Sequence, residues 1–208
     1  MKKRIFTIGL FVLVILLLCF ILIRGCLIKN TNNNFIMYIG DIYTVKEDTY
    51  VTGVIKKGSV KLGNKLVIGD IDVKVKGIIF ENKEVKEADK DNYVSINIGN
   101  IDVKDLKRGL MISSKNYASK SKKVDMEVVL DENFKDLIAT GSVLVFKIGP
   151  ESYAGTISME DGLVATQKGK ITVTFDDYVT TYVDSGVIVK LNGLTEIGTG
   201  KITKIYDK

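Results

Sequence analysis

The chain has 208 residues, 46% of them hydrophobic and 26% charged, which is enough for one large or two small domains with buried cores. Its formal net charge is +5, but five of the 30 basic residues precede residue 34, which leaves 25 basic against 25 acidic residues in the remainder. A neutral remainder lacks the charge of a nucleic-acid-binding domain, so nucleic acid is not an expected partner. The absence of histidine excludes Ser-His-Asp and Cys-His catalytic sites.

The first element is an uncharged apolar run over residues 5–23, long enough as a helix to cross a bilayer. We expect residues 1–29 to form a single-pass transmembrane anchor with its flanks in a cell membrane. Three basic residues precede the run, so the positive-inside rule predicts a cytoplasmic N-terminus and an extracytoplasmic C-terminal region. Residues 30–34 are polar and are predicted to be a linker.

Two other interpretations of this run remain open, a cleaved signal peptide and a lipoprotein signal that ends at Cys26. The run is longer than an ordinary signal core, and no small-residue cleavage site follows it. Arg24 stands where a lipoprotein signal normally has a small uncharged residue. Cys19 and Cys26 are the only cysteines, so the later chain has neither a disulfide framework nor a Cys/His metal cluster.

Short strand patterns separated by turn signals predict a closed β-barrel over residues 35–113. The stretch over residues 52–68 is central to it, because apolar residues alternate there and glycines interrupt the pattern at a spacing of five. Gly53 predicts a bulge or a close backbone approach, and Gly58 and Gly63 predict turns. At least one of the three should need a positive φ or lack room for a Cβ. A single helical turn is predicted at residues 102–106, with Asp102 as its N-cap.

Residues 114–123 are rich in Ser, Lys and Asn and are predicted to be a linker. Six further strand patterns follow over residues 124–208 and predict a second barrel. The expected fold class is therefore all-β, with two consecutive closed β-barrels after an N-terminal transmembrane helix.

The spacing of residues 52–68, with Asp91-Asn92-Tyr93-Val94 and the corner Lys107-Arg108-Gly109, resembles the second domain of translational GTPases of the elongation factor Tu type. Residues 186–202 are similar to the end of the third domain of that family. The resemblance implies translation-factor-type barrels and a bacterial protein. The sequence contains no Gly-x-x-x-x-Gly-Lys-Ser/Thr loop, so we do not expect the nucleotide-binding domain of the family here. Neither GTP hydrolysis nor a bound cofactor is expected.

The resemblance also implies a pocket. In the family, part of the pocket for the acceptor end of transfer RNA lies near the positions matched by Asp41, Thr52 and Asn92. These three residues could be a remnant of that pocket. Alternatively, Thr52 is a strand residue and Asn92 a turn residue with no ligand.

No catalytic residue and no metal site is predicted, because the close carboxylate pairs of the chain do not follow the spacing of a calcium-binding loop. The sequence favours a non-catalytic, membrane-anchored binding module whose partner is a protein or a small ligand. The alternative is a membrane-tethered accessory of translation that competes with elongation factor Tu for a partner. That alternative requires cytoplasmic barrels.

Overall fold

The computed structural model describes residues 34–160, 162–163 and 168–206, which belong to one compact unit. The predicted transmembrane run, Cys19 and Cys26 lie outside these residues. No helix within the described residues is long and apolar enough to cross a membrane. The described fold is all-β apart from one 3-10 turn.

The first barrel is built from eleven strands and one 3-10 turn. They are β1 (Ile36–Tyr38), β2 (Asp41–Val45), β3 (Asp48–Lys57), β4 (Ser59–Lys61), β5 (Lys65–Ile68), β6 (Ile71–Lys74), β7 (Gly77–Phe80), β8 (Lys83–Val85), β9 (Glu87–Asp89), β10 (Tyr93–Gly99), the 3-10 turn Val103–Asp105 and β11 (Met111–Ser114). The predicted helical turn is confirmed: the Asp102 side chain caps it by accepting a hydrogen bond from the Lys104 amide at 3.0 Å.

Nine of these strands form one sheet in the order β6-β5-β11-β1-β3-β10-β7-β8, with β2 paired to β3, while β4 and β9 form a separate pair. The prediction of a closed barrel is therefore wrong for this unit, because the strand path is open and ends at β6 on one side and at β8 on the other. Only Val75 and Lys76 separate β6 from β7, which pairs with β10, and the Lys76 amide donates to the Asn97 carbonyl at 2.8 Å. The bent segment from β6 to β7 thus pairs first with β5 and then with β10. The sheet curls round its core without a continuous ladder.

The core of this barrel is formed by the apolar side chains that alternate with polar ones along its strands. In β10, for example, Val94 and Ile96 are fully buried, whereas Tyr93 and Ser95 point to the opposite face. Each fully buried aliphatic or aromatic side chain contributes about 1.5–3 kcal/mol relative to an exposed one. The largest fully buried members are Phe35, Met37, Ile55, Leu66, Ile68, Ile78, Ile96 and Ile112.

The three predicted structural glycines have different backbone requirements. Gly58 and Gly63 lie at φ +69° and +83°, in the left-handed region that side chains disfavour. Gly53 has no positive φ, but a Cβ there would collide with the carbonyl oxygen of Tyr38 and lie 3.0 Å from Cγ of Met37. Strand β1 therefore packs onto β3 at a point where no side chain fits.

The second barrel is formed by β12 (Ser119–Leu130), β13 (Val143–Ile148), β14 (Glu151–Ser158), β15 (Lys168–Thr181), β16 (Gly186–Leu191) and β17 (Thr195–Ile205). Its ladder closes in the order β12-β15-β14-β13-β16-β17, as predicted. Phe146 and Phe175 meet edge to face in its core, with their ring centroids 5.8 Å apart.

The predicted linker over residues 114–123 is too long. Strand β11 ends at Ser114, and β12 already begins at Ser119, where it pairs with Thr181. Residues 119–123 are polar because they lie in a strand with one exposed face and a bulge between Ser121 and Lys123, not because they connect domains.

The two barrels share an apolar contact. Ile36 and Met111 of the first barrel are buried with Tyr182 of the second, and the Tyr38 ring lies against the backbone of Gly149. Burial raises the pKa of the Tyr38 hydroxyl, which shares a hydrogen bond with Ser185.

The first test concerns the close approach of β1 to β3. Gly53→Ala should lower the free energy of unfolding by about 1–3 kcal/mol, because the added methyl group forces the β1 backbone away. Gly186→Ala is the matched control, since a Cβ there meets nothing within 4 Å and no positive φ is involved. Chemical denaturation of the full chain measures both. Equal stabilities would contradict the packing described for β1.

A second test concerns two buried threonines. The Thr181 hydroxyl has no hydrogen-bond partner among the described residues, whereas the Thr49 hydroxyl donates to the Ile101 carbonyl at 2.7 Å. Thr181→Val should therefore leave the free energy of unfolding unchanged or raise it, because it removes an unsatisfied polar group. Thr49→Val should lower it by about 1–3 kcal/mol, because the carbonyl of half-buried Ile101 loses its donor. An equal loss in both variants, by the same denaturation assay, would show that Thr181 has a partner.

Candidate functional site

The outer face of strands β2, β3 and β10 carries the residues singled out by the sequence. Antiparallel register places Asp41 opposite Thr52, and Thr52 opposite Ser95. The next outward row on the same strands joins Tyr43, Tyr50 and Asn97. Because the intervening residues are the apolar ones, this face is polar and aromatic while the other face is core.

Three tyrosines dominate this face, and each hydroxyl is held by a neighbour. The Tyr43 and Tyr50 rings stack with centroids 5.2 Å apart and planes within 9°. Tyr43 shares a hydrogen bond of 2.7 Å with Ser95, and the Tyr93 hydroxyl donates to Thr52 at 3.0 Å. Tyr93 is 59% exposed and Tyr43 39%. We call this surface the tyrosine face, comprising Tyr43, Tyr50, Thr52, Tyr93, Ser95 and Asn97.

Asn97 organises one side of the tyrosine face. Its side-chain amide donates to the Tyr50 hydroxyl at 3.1 Å and to the Asp48 carboxylate at 3.0 Å. Its side-chain oxygen accepts from the Gly99 amide at 2.8 Å. Asn97 is only 7% exposed, so these bonds satisfy a buried polar group and fix the position of Tyr50.

Two ion pairs lie beside the tyrosine face. Arg108 contacts Asp41 at 2.7 Å, and Lys76 contacts Asp48 at 3.2 Å. The hydrogen bond from Arg108, followed by that from the Ile42 amide, holds the pKa of Asp41 below its usual value. The hydrogen bond from Asn97, followed by that from Lys76, does the same for the pKa of Asp48.

The predicted pocket residues are brought together only in part. Asp41 and Thr52 are direct cross-strand neighbours. Asn92 lies in the turn before β10, where its side-chain oxygen accepts from the Asp89 amide and its carbonyl accepts from the Ile55 amide. It has a turn role, the alternative that the sequence had left open.

The sequence interpretation missed the tyrosines and Asn97. The signal that could have revealed them is the period of two: Tyr43 follows Asp41, and Asn97 follows Tyr93 and Ser95, at alternate positions in their strands. Strand pairing cannot be inferred from this spacing alone, so the three strands were not expected to combine their outward residues. No cluster of three His, Cys, Asp or Glu side chains that could hold a metal ion occurs within the described residues.

Comparison with known proteins addresses the fold. No model of a known protein family matches the chain. Over 95 residues the chain is 28% identical to apicoplast elongation factor Tu of Plasmodium falciparum (isolate 3D7), a match that covers 42% of this chain and 23% of that protein.

Two solved structures share the arrangement of both barrels. A bacterial selenocysteine-specific elongation factor, EF-Sec, matches with a TM-score of 0.68 at 21% identity, over 84% of this chain and 29% of that chain. Translation elongation factor SelB from Methanococcus maripaludis, in its apo form, matches with a TM-score of 0.73 at 22% identity, over 86% and 44%. The barrels have a translation-factor fold. The chain spans less than half the length of each of these three proteins.

The Asp41–Arg108 pair gives a pH-dependent test. A lowered pKa in the folded state means that the charged carboxylate stabilises the fold above the ordinary Asp pKa, and that this stabilisation is lost as the pH falls through the lowered value. Arg108→Gln should move the pKa of Asp41 back up towards its ordinary value. Carboxyl-carbon NMR titration of the full chain measures this shift. Asp48 is the internal control because Arg108 does not contribute to its shift. An Asp41 titration that is the same with and without Arg108 would contradict the pairing.

Proposed function

We propose that the chain is a non-catalytic binding module whose tyrosine face contacts a protein or a small ligand. One observation carries the proposal: one sheet face presents two exposed tyrosine rings, Tyr43 and Tyr93, and a half-buried third, Tyr50, and each hydroxyl is fixed by a hydrogen bond. Tyrosine offers a large amphipathic contact area and loses little conformational entropy on binding, which is why it is enriched at recognition surfaces. Rings that are already fixed in the free protein lose even less conformational entropy on binding.

The sequence adds membrane attachment to this proposal. The apolar run over residues 5–23 supports a single-span anchor, and its flanking charges favour barrels outside the cell membrane. In that arrangement the anchor limits diffusion to two dimensions, and the barrels display the tyrosine face at the cell surface. The module would act by holding its partner near the membrane.

A second candidate is an accessory of translation that competes with elongation factor Tu for a shared partner. The sequence match to apicoplast elongation factor Tu favours this candidate. It differs from the first in location, because it needs the barrels in the cytoplasm. Net neutrality beyond residue 34 supports a partner other than transfer RNA.

The role of the tyrosine face can be tested by capture from cell-envelope extracts. The double variant Tyr43→Ala, Tyr93→Ala should lose the species that the unaltered chain retains, because two contact rings are removed. Tyr178→Ala is the matched control, since Tyr178 is 45% exposed on the second barrel. A species retained equally by all three proteins would contradict the assignment of this face.

Nucleotide binding gives an independent test. GTP should give no saturable heat in calorimetry with the full chain, because the sequence has no loop of backbone amides and lysine that could hold its phosphates. Full-length elongation factor Tu in the same buffer is the positive control. Saturable micromolar binding by this chain would overturn the prediction that it does not bind GTP.

A further inference from the structure

From the chemistry of the tyrosine face, we infer that the small ligand it contacts is a short run of pyranose units, part of a polysaccharide of the cell envelope. The inference rests on the proposed function and names the ligand class for the same surface. A pyranose ring has a weakly polar face of C–H groups and an edge of hydroxyl groups. A protein surface that binds it therefore needs exposed aromatic rings together with polar groups that both donate and accept hydrogen bonds.

The first requirement is met by Tyr43 and Tyr93. Both are exposed, and both hydroxyls are hydrogen-bonded to residues of β3 or β10, so each ring is tethered at its outer end as well as at its Cα. Tyr43 and Tyr93 lie on β2 and β10, the outer two of three adjacent strands, and Tyr50 lies opposite Tyr43 on the strand between them. Two exposed rings on separate strands favour several linked sugar units over a single sugar, because one unit can contact each ring.

The second requirement is met by the residues around the rings. Arg108 offers guanidinium donors, and Asp41 and Asp48 offer carboxylate acceptors, at the side of the tyrosines. The Arg108 side chain is 72% exposed and that of Asp41 55%, so their remaining hydrogen-bonding capacity faces solvent. Planar groups of this kind can hydrogen-bond to adjacent hydroxyls of one sugar.

Charge balance argues against an ionic ligand. Asp41 is paired with Arg108, and Asp48 with Lys76, so the two pairs carry no net charge. A polyanion would gain nothing from such a surface and would lose the hydration of its own charges. The centre of a protein interface is usually dry and apolar, whereas both exposed rings here end in hydroxyl groups, paired with those of Ser95 and Thr52. A largely uncharged, hydroxyl-rich polymer fits both observations.

The test uses the full chain in lipid nanodiscs, because sugar-based detergents would compete. Oligomers of N-acetylglucosamine and of glucose are titrated, and binding is followed by tyrosine fluorescence and by saturation-transfer NMR. We expect saturable binding of one of the two series. Tyr93→Ala should weaken it about tenfold, the loss of roughly one stacking contact. Tyr93→Phe should retain most of the affinity because the ring remains.

Controls separate loss of contact from loss of structure. Tyr43→Ala removes the second exposed ring without touching the Tyr93–Thr52 hydrogen bond, and it should weaken binding to a similar extent. Tyr178→Ala on the second barrel should bind as the unaltered chain does. Unchanged circular dichroism and melting temperature are required of each variant, and if Tyr93→Ala fails to fold, Tyr43→Ala decides.

The outcomes also separate this inference from the proposed function. If neither sugar series binds while the Tyr43→Ala, Tyr93→Ala variant still loses a captured protein, the glycan inference is wrong and the binding module stands. If Tyr43→Ala and Tyr93→Ala both bind sugar as tightly as the unaltered chain does, the inference is also wrong, because the site lies elsewhere. If no species of any class depends on these tyrosines, both fail.

Discussion

The first barrel depends on the close packing of β1 against β3 at Gly53. The absence of a side chain there lets the Tyr38 carbonyl and the Met37 side chain lie against the β3 backbone. Strand β3 pairs with β1, β2 and β10, and its residues Tyr50 and Thr52 lie on the outer face. Correct seating of β1 therefore determines where β2 begins, and with it the positions of Asp41 and Tyr43 on the tyrosine face.

Strand β1 serves two packing interfaces although it is only three residues long. Met37 points into the core of the first barrel, whereas Ile36 and Tyr38 on either side point to the contact with the second barrel. In that contact Lys57 lies over both Tyr117 and Tyr182, 5.2 and 5.5 Å from the ring centroids. A disturbance of β1 would consequently reach both barrels, which links the stability of the tyrosine face to a strand that contributes no residue to it.

Much of this fold could be predicted because its signals are local. Alternation of apolar residues gave the strands, and the left-handed positions of Gly58 and Gly63 correspond to turns that the chain marks with glycine. The open ladder could not be predicted, because it depends on how Val75 and Lys76 bend between two sheet neighbours. The same holds for the early start of β12, whose polar residues resemble those of a linker but pair along β15.

The candidate site was harder to predict because its residues come together only through the pairing register of β2, β3 and β10. Asp41 and Thr52 were singled out through a family resemblance, and pairing places them side by side. The tyrosines are ordinary strand residues until three strands align them, and no spacing within one strand indicates which strands become neighbours. Asn92 matched the same resemblance, yet its side-chain oxygen and its backbone groups are hydrogen-bonded within a turn.

The central claim, a binding module displayed outside the cell membrane, is tested most directly by the location of the barrels. Leu194 is 86% exposed in the second barrel, so Leu194→Cys, in a chain whose Cys19 and Cys26 are replaced by serine, provides one accessible thiol. A membrane-impermeant maleimide is applied to intact and to lysed cells. The account predicts equal labelling in both, whereas labelling only after lysis would place the barrels in the cytoplasm and contradict it.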